Sequence, residues 1–342
     1  MRREDSSWTP TNPKFDTNKP MQVGGQAVIE GVMMRAPNAY ATAVRRANGT
    51  IIVKKDEFMP FNEKYTLFKL PFLRGAAGLI EMLYVGIKTL NFSADIAIMD
   101  LPEDKKKKSR KSNGKPRGQS TAAQVLTLVA AMAIGIALFF ILPLYVATAA
   151  FDVGQQAFAF NLTAGAIRLT ILIGYMLVLS LMKDVRRLFQ YHGAEHKSVF
   201  AFEMNAELVT ENAVKFSRFH PRCGTSFLLI VVFVAILLFT VLDAFFLLWF
   251  GKLTLLMRLA THLPLIPLVG GASYEVIKYS AKHSSSWWGR IIVAPGLWMQ
   301  KITTKEPDEK QIEVALVALR CALGIEDVGK YQLEQVKEEV VK

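Results

Sequence analysis

Four long apolar runs constrain this chain more than any other feature. Gln124 to about Ala149 and Ala164 to Met182 are each long enough to cross a hydrocarbon layer of about 30 Å at about 1.5 Å per residue. Thr225 to Phe250 and Leu253 to Gly270 read as a second pair, joined through Gly251 and Lys252. The composition agrees: with 51% hydrophobic residues, 20% charged and a mean hydropathy of +0.26, the chain is too apolar for an ordinary soluble enzyme of 342 residues. The N-terminus is charged and proline-interrupted, so no cleavable secretory signal is expected. Basic residues crowd the stretch before the first run (EDKKKKSRKSNGKPRGQ) and the one after the second (KDVRRLF), whereas FDVGQQAFAFN between them has none. That asymmetry predicts both termini in the cytosol. The fold class expected is an α-helical membrane protein of four transmembrane helices, with a small cytosolic β-containing N-terminal region and cytosolic helical elements.

The divisions follow: a disordered N-terminus over 1–20, a β region over 21–73, an interfacial amphipathic helix over 74–100 and a basic linker over 101–120. Transmembrane helices one and two occupy 121–182, a cytosolic loop 183–224, helices three and four 225–270, and a cytosolic C-terminal region 271–342. In the β region AVIEGVMM, YATAVRR and TIIVKKDEF read as strands, with Asn48-Gly49 as a two-residue hairpin turn. Glu81, Lys88 and Asp95, seven apart on one helical stripe, suit a helix lying along the membrane surface. The basic linker fits anionic lipid headgroups, and no nucleic-acid-binding signature accompanies the net charge of +12, so membrane lipids rather than nucleic acid are the expected partner. Cys223 and Cys321, far apart and both cytosolic by this reading, are expected as free thiols.

Any chemistry then belongs on the cytosolic face. YHGAEHK places His192 and His196 four residues apart on a helix with Glu195 beside them, the HxxEH arrangement of two zinc-ligating imidazoles and a carboxylate base. His220 and Cys223 follow just before the third run, on the same side. These donors suit a divalent metal, zinc by their type. Four ligands would make a closed structural site; three and a water would leave it catalytic, and interfacial histidines with ordinary hydrogen bonds are the plainest account. Glu275 in GGASYEVIKYS, after flexible glycines, is either a further ligand or an ion-paired residue. PGLWMQKITTKEP reads as a helix stop and fresh start capped by Thr304, with IEVALVALRCAL as an amphipathic helix packing on the sheet. Glu30 shares a strand face with Val28, Val32 and Met34. As a carboxylate among apolar residues it predicts a partner: a histidine of the site, or a cation such as Arg74 or Arg35. Asp243 and Arg258, equidistant from the Gly251-Lys252 turn, predict a salt bridge.

GGQAVIEGVMMR, HGAEHK, HPRCGTSF, GASYEVIKYS and PGLWMQKITTKEPDEKQIEVALVAL together resemble the YqhQ-like family of bacterial membrane proteins, described as predicted metal-dependent enzymes. The resemblance runs from about Gly24 to about Ala322. Gly24, Gly25, Glu30, Arg35, His192, Glu195, His196, His220, Cys223, Tyr274 and Glu275 stand at its motif positions. It implies a multi-pass protein of the bacterial plasma membrane. The reading that results is a metal-dependent hydrolase acting on a membrane-proximal peptide or lipid. Glu195 and Glu30 are its candidate catalytic carboxylates, and His192, His196, His220, Cys223 and Glu275 its candidate ligands. The alternative is a non-catalytic scaffold or chaperone for membrane-protein assembly, with membrane proteins as partners.

Overall fold

The computed structural model describes residues 23–100, 121–150, 155–282 and 286–331. The expectations for 1–20, for the linker 101–120 and for His283 lie outside these.

The N-terminal region is a four-stranded antiparallel sheet, one strand more than expected, in the order β1 (Gly24–Val28), β2 (Gly31–Arg35), β3 (Ala39–Arg45) and β4 (Ile51–Glu57). AVIEGVMM is not a single strand. Val28 pairs with Gly31, and Glu30 sits in the reversal between them with φ 52°. Period-2 reasoning failed there because β2 is buried on both faces: Val32, Met33 and Met34 are fully buried, which leaves an unbroken apolar run and no alternation. The β3–β4 connection is also longer than two residues. It runs through Arg46–Thr50, closed by Gly49 N–H donating to the Arg46 carbonyl and Arg46 N–H to the Thr50 carbonyl.

Both faces of the sheet are covered. Val32, Met34, Ala41, Ala43 and Val53 pack into one core with α5 (Lys183–Glu203) and α10 (Glu309–Leu323). Val28, Val44 and Ile52 meet Ile96, and Met33 and Tyr40 meet Val85, both from α1 (Leu73–Met99). The tail helix therefore packs on the sheet as its sequence predicted. Of the polar stripe on α1, Glu81 is buried and accepts the Phe61 N–H, Lys88 reaches Asp56 of β4 at 2.9 Å, and Asp95 is exposed. Its N-terminal half packs instead on α8 (Ile266–Lys282), where Arg74 pairs with Glu275.

Four helical stretches are long and apolar enough to cross a membrane by length and composition: Val129–Ala149, Ala157–Leu181, Gly224–Phe250 and Leu255–Ser280. They match the four runs. The first comprises α2 (Thr121–Ile136) and α3 (Leu142–Ala150) with a π turn, Ala137–Ile141, whose Phe139 carbonyl accepts from Arg168 of α4 (Ala157–Leu181). The third is α6 (Gly224–Phe250). The fourth begins as α7 (Leu255–His262), passes a 3-10 turn at Leu263–Leu265 that includes Pro264, and continues as α8. It runs ten residues past Gly270, because Gly270 and Gly271 are helical and admit Leu79 and the Phe72 backbone rather than marking a flexible start.

Asp243 and Arg258 form the expected salt bridge, at 3.0 Å. They are joined by His262 Nε2, 2.9 Å from Asp243 Oδ1, and by Asn161 Nδ2, 2.9 Å from Oδ2. All four side chains are buried.

Candidate metal centre

The site is built on the middle of α5, an amphipathic helix that starts immediately after α4 at the extended residue Met182. Gly193 lies where the chain at Lys305 crosses the helix; a methyl there would overlap the Lys305 carbonyl, and Lys305 N–H donates to the Phe189 carbonyl at 2.8 Å. This close crossing delivers the C-terminal end of α9 (Trp287–Thr303) to the histidines.

Each imidazole of the HGAEH pair is oriented through its outer nitrogen. His192 Nδ1 donates to the Thr303 carbonyl at 2.8 Å, and His196 Nδ1 to the Arg218 carbonyl at 2.5 Å. A nitrogen that donates to a carbonyl carries the proton, so both Nε2 atoms are left with bare lone pairs. Those lone pairs converge with Cys223 Sγ, which is 3.2 Å from His192 Nε2; the three atoms all lie within 4.8 Å of one another. Cys223 is also the N-cap of α6, where its sulfur accepts from Thr225 N–H. Burial holds the His196 pKa below its ordinary value, so the ring is kept neutral as a ligand must be. Bond lengths of about 2.0–2.3 Å to tetrahedral zinc separate donors by about 3.5 Å. Two imidazole nitrogens and one cysteine sulfur are the donor types for such an ion, and the His192–Cys223 pair, at 3.2 Å, is close to that separation.

Glu195 stands next to this group, its Oε2 3.5 Å from His196 Nε2. It is buried, and burial raises its carboxyl above the usual carboxylate range, opposed by His192, His220 and a hydrogen bond from the Gly25 backbone. Gly25 is needed for that approach: a side chain there would come within 2.9 Å of Glu195 Cγ.

His220 is not free to ligate. Its Nδ1 accepts from Arg222 N–H and its Nε2 faces Glu203 at 3.3 Å, so both nitrogens are engaged; the ring packs against His196 and Phe200. Glu275 is held by Arg74, with Nε to Oε1 at 2.7 Å, which is the ion-paired alternative. Glu30 contacts none of the three histidines. Its carboxylate is bound by Arg187, at 2.5 Å for Nη2, and by the Tyr191 hydroxyl, and it is half-exposed. The strand does meet the HGAEH helix as expected, but through Gly25.

Several supporting residues gave little sequence signal. Gln300 is fully buried and grips the HPRC loop, accepting His220 N–H and donating to the His220 carbonyl, both at 2.8 Å. Lys197, also buried, donates to the Val214 and Phe216 carbonyls and pairs with Glu306. Pro295 lies inside α9 rather than stopping it, and Asp308, not Thr304, caps the next helix. A glutamine between Met299 and Lys301, in a stretch of 3.6-residue periodicity, was the one visible cue.

A family model described as a protein of unknown function, DUF1385, matches residues 70–325. The chain belongs to this family. The chain is also 34% identical over 323 residues to the uncharacterized protein YqhQ of Bacillus subtilis (strain 168), covering 91% of this chain and 95% of that protein. No solved structure matches.

Proposed function

We propose that this DUF1385 protein is an integral membrane protein with a metal-dependent hydrolytic site at its cytosolic face, acting on a membrane-proximal peptide or lipid. The observation that carries the reading is the convergence of His192 Nε2, His196 Nε2 and Cys223 Sγ, with each imidazole's other nitrogen already occupied by a backbone carbonyl. Three protein donors leave a tetrahedral ion one open position. A zinc-like ion held there would polarise a substrate carbonyl or phosphoryl oxygen. Glu195, outside the ligand group but beside it, takes the proton from the attacking water and returns it to the leaving group; the raised pKa suits a residue that must do both. Gly25 N–H holds the carboxylate in place. Glu30 acts at a distance, as an anchor for Arg187 and Tyr191 on the same helix. The four apolar helices, read with the basic flanks of the sequence, support a bacterial plasma-membrane location with both termini cytosolic.

Metal analysis tests this directly. Purified protein loaded with zinc and desalted should retain one ion per chain, and His192→Ala with His196→Ala should retain none; wild-type protein that keeps no divalent metal overturns the reading. A second reading, a closed structural site in a non-catalytic scaffold or chaperone, is favoured by the burial of His196, Cys223 and Glu195, with Glu195 as fourth ligand. Cobalt-substituted protein separates the two. An open position shifts its visible spectrum when azide is added, and a closed site does not.

A further inference from the structure

We propose that α9 is a membrane-docked helix, its outer face seated in the headgroup region of the cytosolic leaflet, so that the metal centre lies one helix diameter from lipid. The proposal rests on the membrane reading above and not on the metal. On the outer face, Trp287, Trp288, Ile291 and Trp298 are 59%, 61%, 56% and 66% exposed. Their spacing of three, four and seven residues makes a single helical stripe. Tryptophan is the residue that most favours the headgroup layer, where its apolar ring and N–H are both accommodated. Arg290 and Lys301 are exposed beside the stripe, three residues from Trp287 and Trp298, where long cationic side chains reach lipid phosphates.

The inner face indicates why the occupant is a bilayer and not a protein. Met299 and Ile302 pack with Leu172 and Leu169 of α4 and Leu229 of α6, and Gly296 abuts Ser226 of α6. These are side chains of two candidate membrane spans. A helix braced on the flank of that bundle continues the same lipid-facing perimeter, and its outer stripe is apolar with cations at the edge. The residues that orient the site, Gln300 and Thr303, occupy the opposite face. A helix about 10 Å across is then all that separates lipid from the metal ligands.

Full-length protein in nanodiscs of phosphatidylcholine and phosphatidylglycerol with brominated acyl chains tests this. Single-tryptophan variants would keep Trp249, Trp288 or Trp298, the remaining tryptophans being replaced by phenylalanine. Trp249, near the end of α6 and 74% exposed, reports on membrane insertion itself. Trp288 and Trp298 should lose emission to bromine to an extent comparable with Trp249, and should resist aqueous iodide. Difference spectra between wild type and W288F or W298F give the same readout where the multiple variants do not fold. Bromine quenching of Trp249 alone overturns this proposal and leaves the membrane reading standing, whether iodide reaches α9 (solvent) or fails to (a protein partner). No bromine quenching at any of the three overturns both. Metal content, measured on the same samples, does not enter the outcome.

Discussion

Two buried polar clusters in this molecule each combine histidine with a carboxylate, to opposite ends. In the apolar bundle, Asp243 accepts from Arg258, His262 and Asn161, so its charge is matched and both oxygens are spoken for. Among the described residues of that cluster, His262 Nδ1 is the buried side-chain atom left without a hydrogen-bond partner. At the α5 site the imidazoles are tied at the back by backbone carbonyls, and their lone pairs face a sulfur and a carboxylate. The first arrangement matches its charges, leaving one imidazole nitrogen over, and joins three helices. The second is held from behind, with its inward nitrogens turned to the Cys223 sulfur, 3.2 Å from His192 Nε2, and to the Glu195 carboxylate. Burial alone therefore does not mark a functional site; what matters is whether the buried donors and acceptors already satisfy one another.

The largest expected effect is at the Asp243 cluster. Asp243→Asn leaves Arg258 buried without its counter-charge, and should cost about 3–5 kcal/mol, read as a loss of folded protein or a large drop in melting temperature in detergent. A mild effect there breaks the comparison. Next, His196→Gln should lower zinc affinity at least about 100-fold, beyond the effect usual for an outer partner. In metal-free protein it should cost only about 1–3 kcal/mol, for the Arg218 carbonyl left unpaired. Competition with a chelating dye and thermal melts measure the two.

The pH dependence of metal-free protein sharpens the contrast. Burial depresses the folded pKa values of His196 and His220, so the unfolded chain takes up protons first. Their contribution is intact above about 6.5 and is lost as pH falls through the folded values. Glu195 has the opposite sign, because its raised value makes ionisation in the folded state costly. Its contribution is present below the ordinary glutamate value and is lost as pH rises through the folded one. Glu195→Gln should therefore stabilise the metal-free protein at neutral pH while abolishing turnover. The smallest effect belongs to Glu30→Gln: a half-exposed ion pair should cost less than about 1 kcal/mol and leave zinc content unchanged.

The sequence was most legible where one physical force dominates. Long apolar runs gave four helices, and equal distances from the Gly251 turn gave the Asp243–Arg258 pair. The i, i+4 histidines, with Cys223 brought back by the third run, gave the core of the site. It was least legible where the deciding contact crosses the fold. Nothing near His220 shows that Glu203 and Arg222 occupy its nitrogens, and nothing near Glu275 shows Arg74, some 200 residues earlier. Glu30 misled because the apolar pattern around it belongs to two strands and not one. Pro295 misled because the helix continues through it from Trp287 to Thr303.

The crossing of Lys305 over Gly193 also carries a consequence for the order in which the protein is made. The candidate ligands His192, His196 and Cys223 are all synthesised before residue 224, but the groups that set their orientation, Gln300 and the Thr303 carbonyl, emerge some 80 to 110 residues later. The apolar helices between them are complete by then. A ribosome-bound chain stopped before residue 300 would carry all three with one histidine ring unfixed and the HPRC loop ungripped. Completion of this geometry is thus a terminal event in biogenesis, gated by the arrival of α9 rather than by the appearance of the histidines and Cys223.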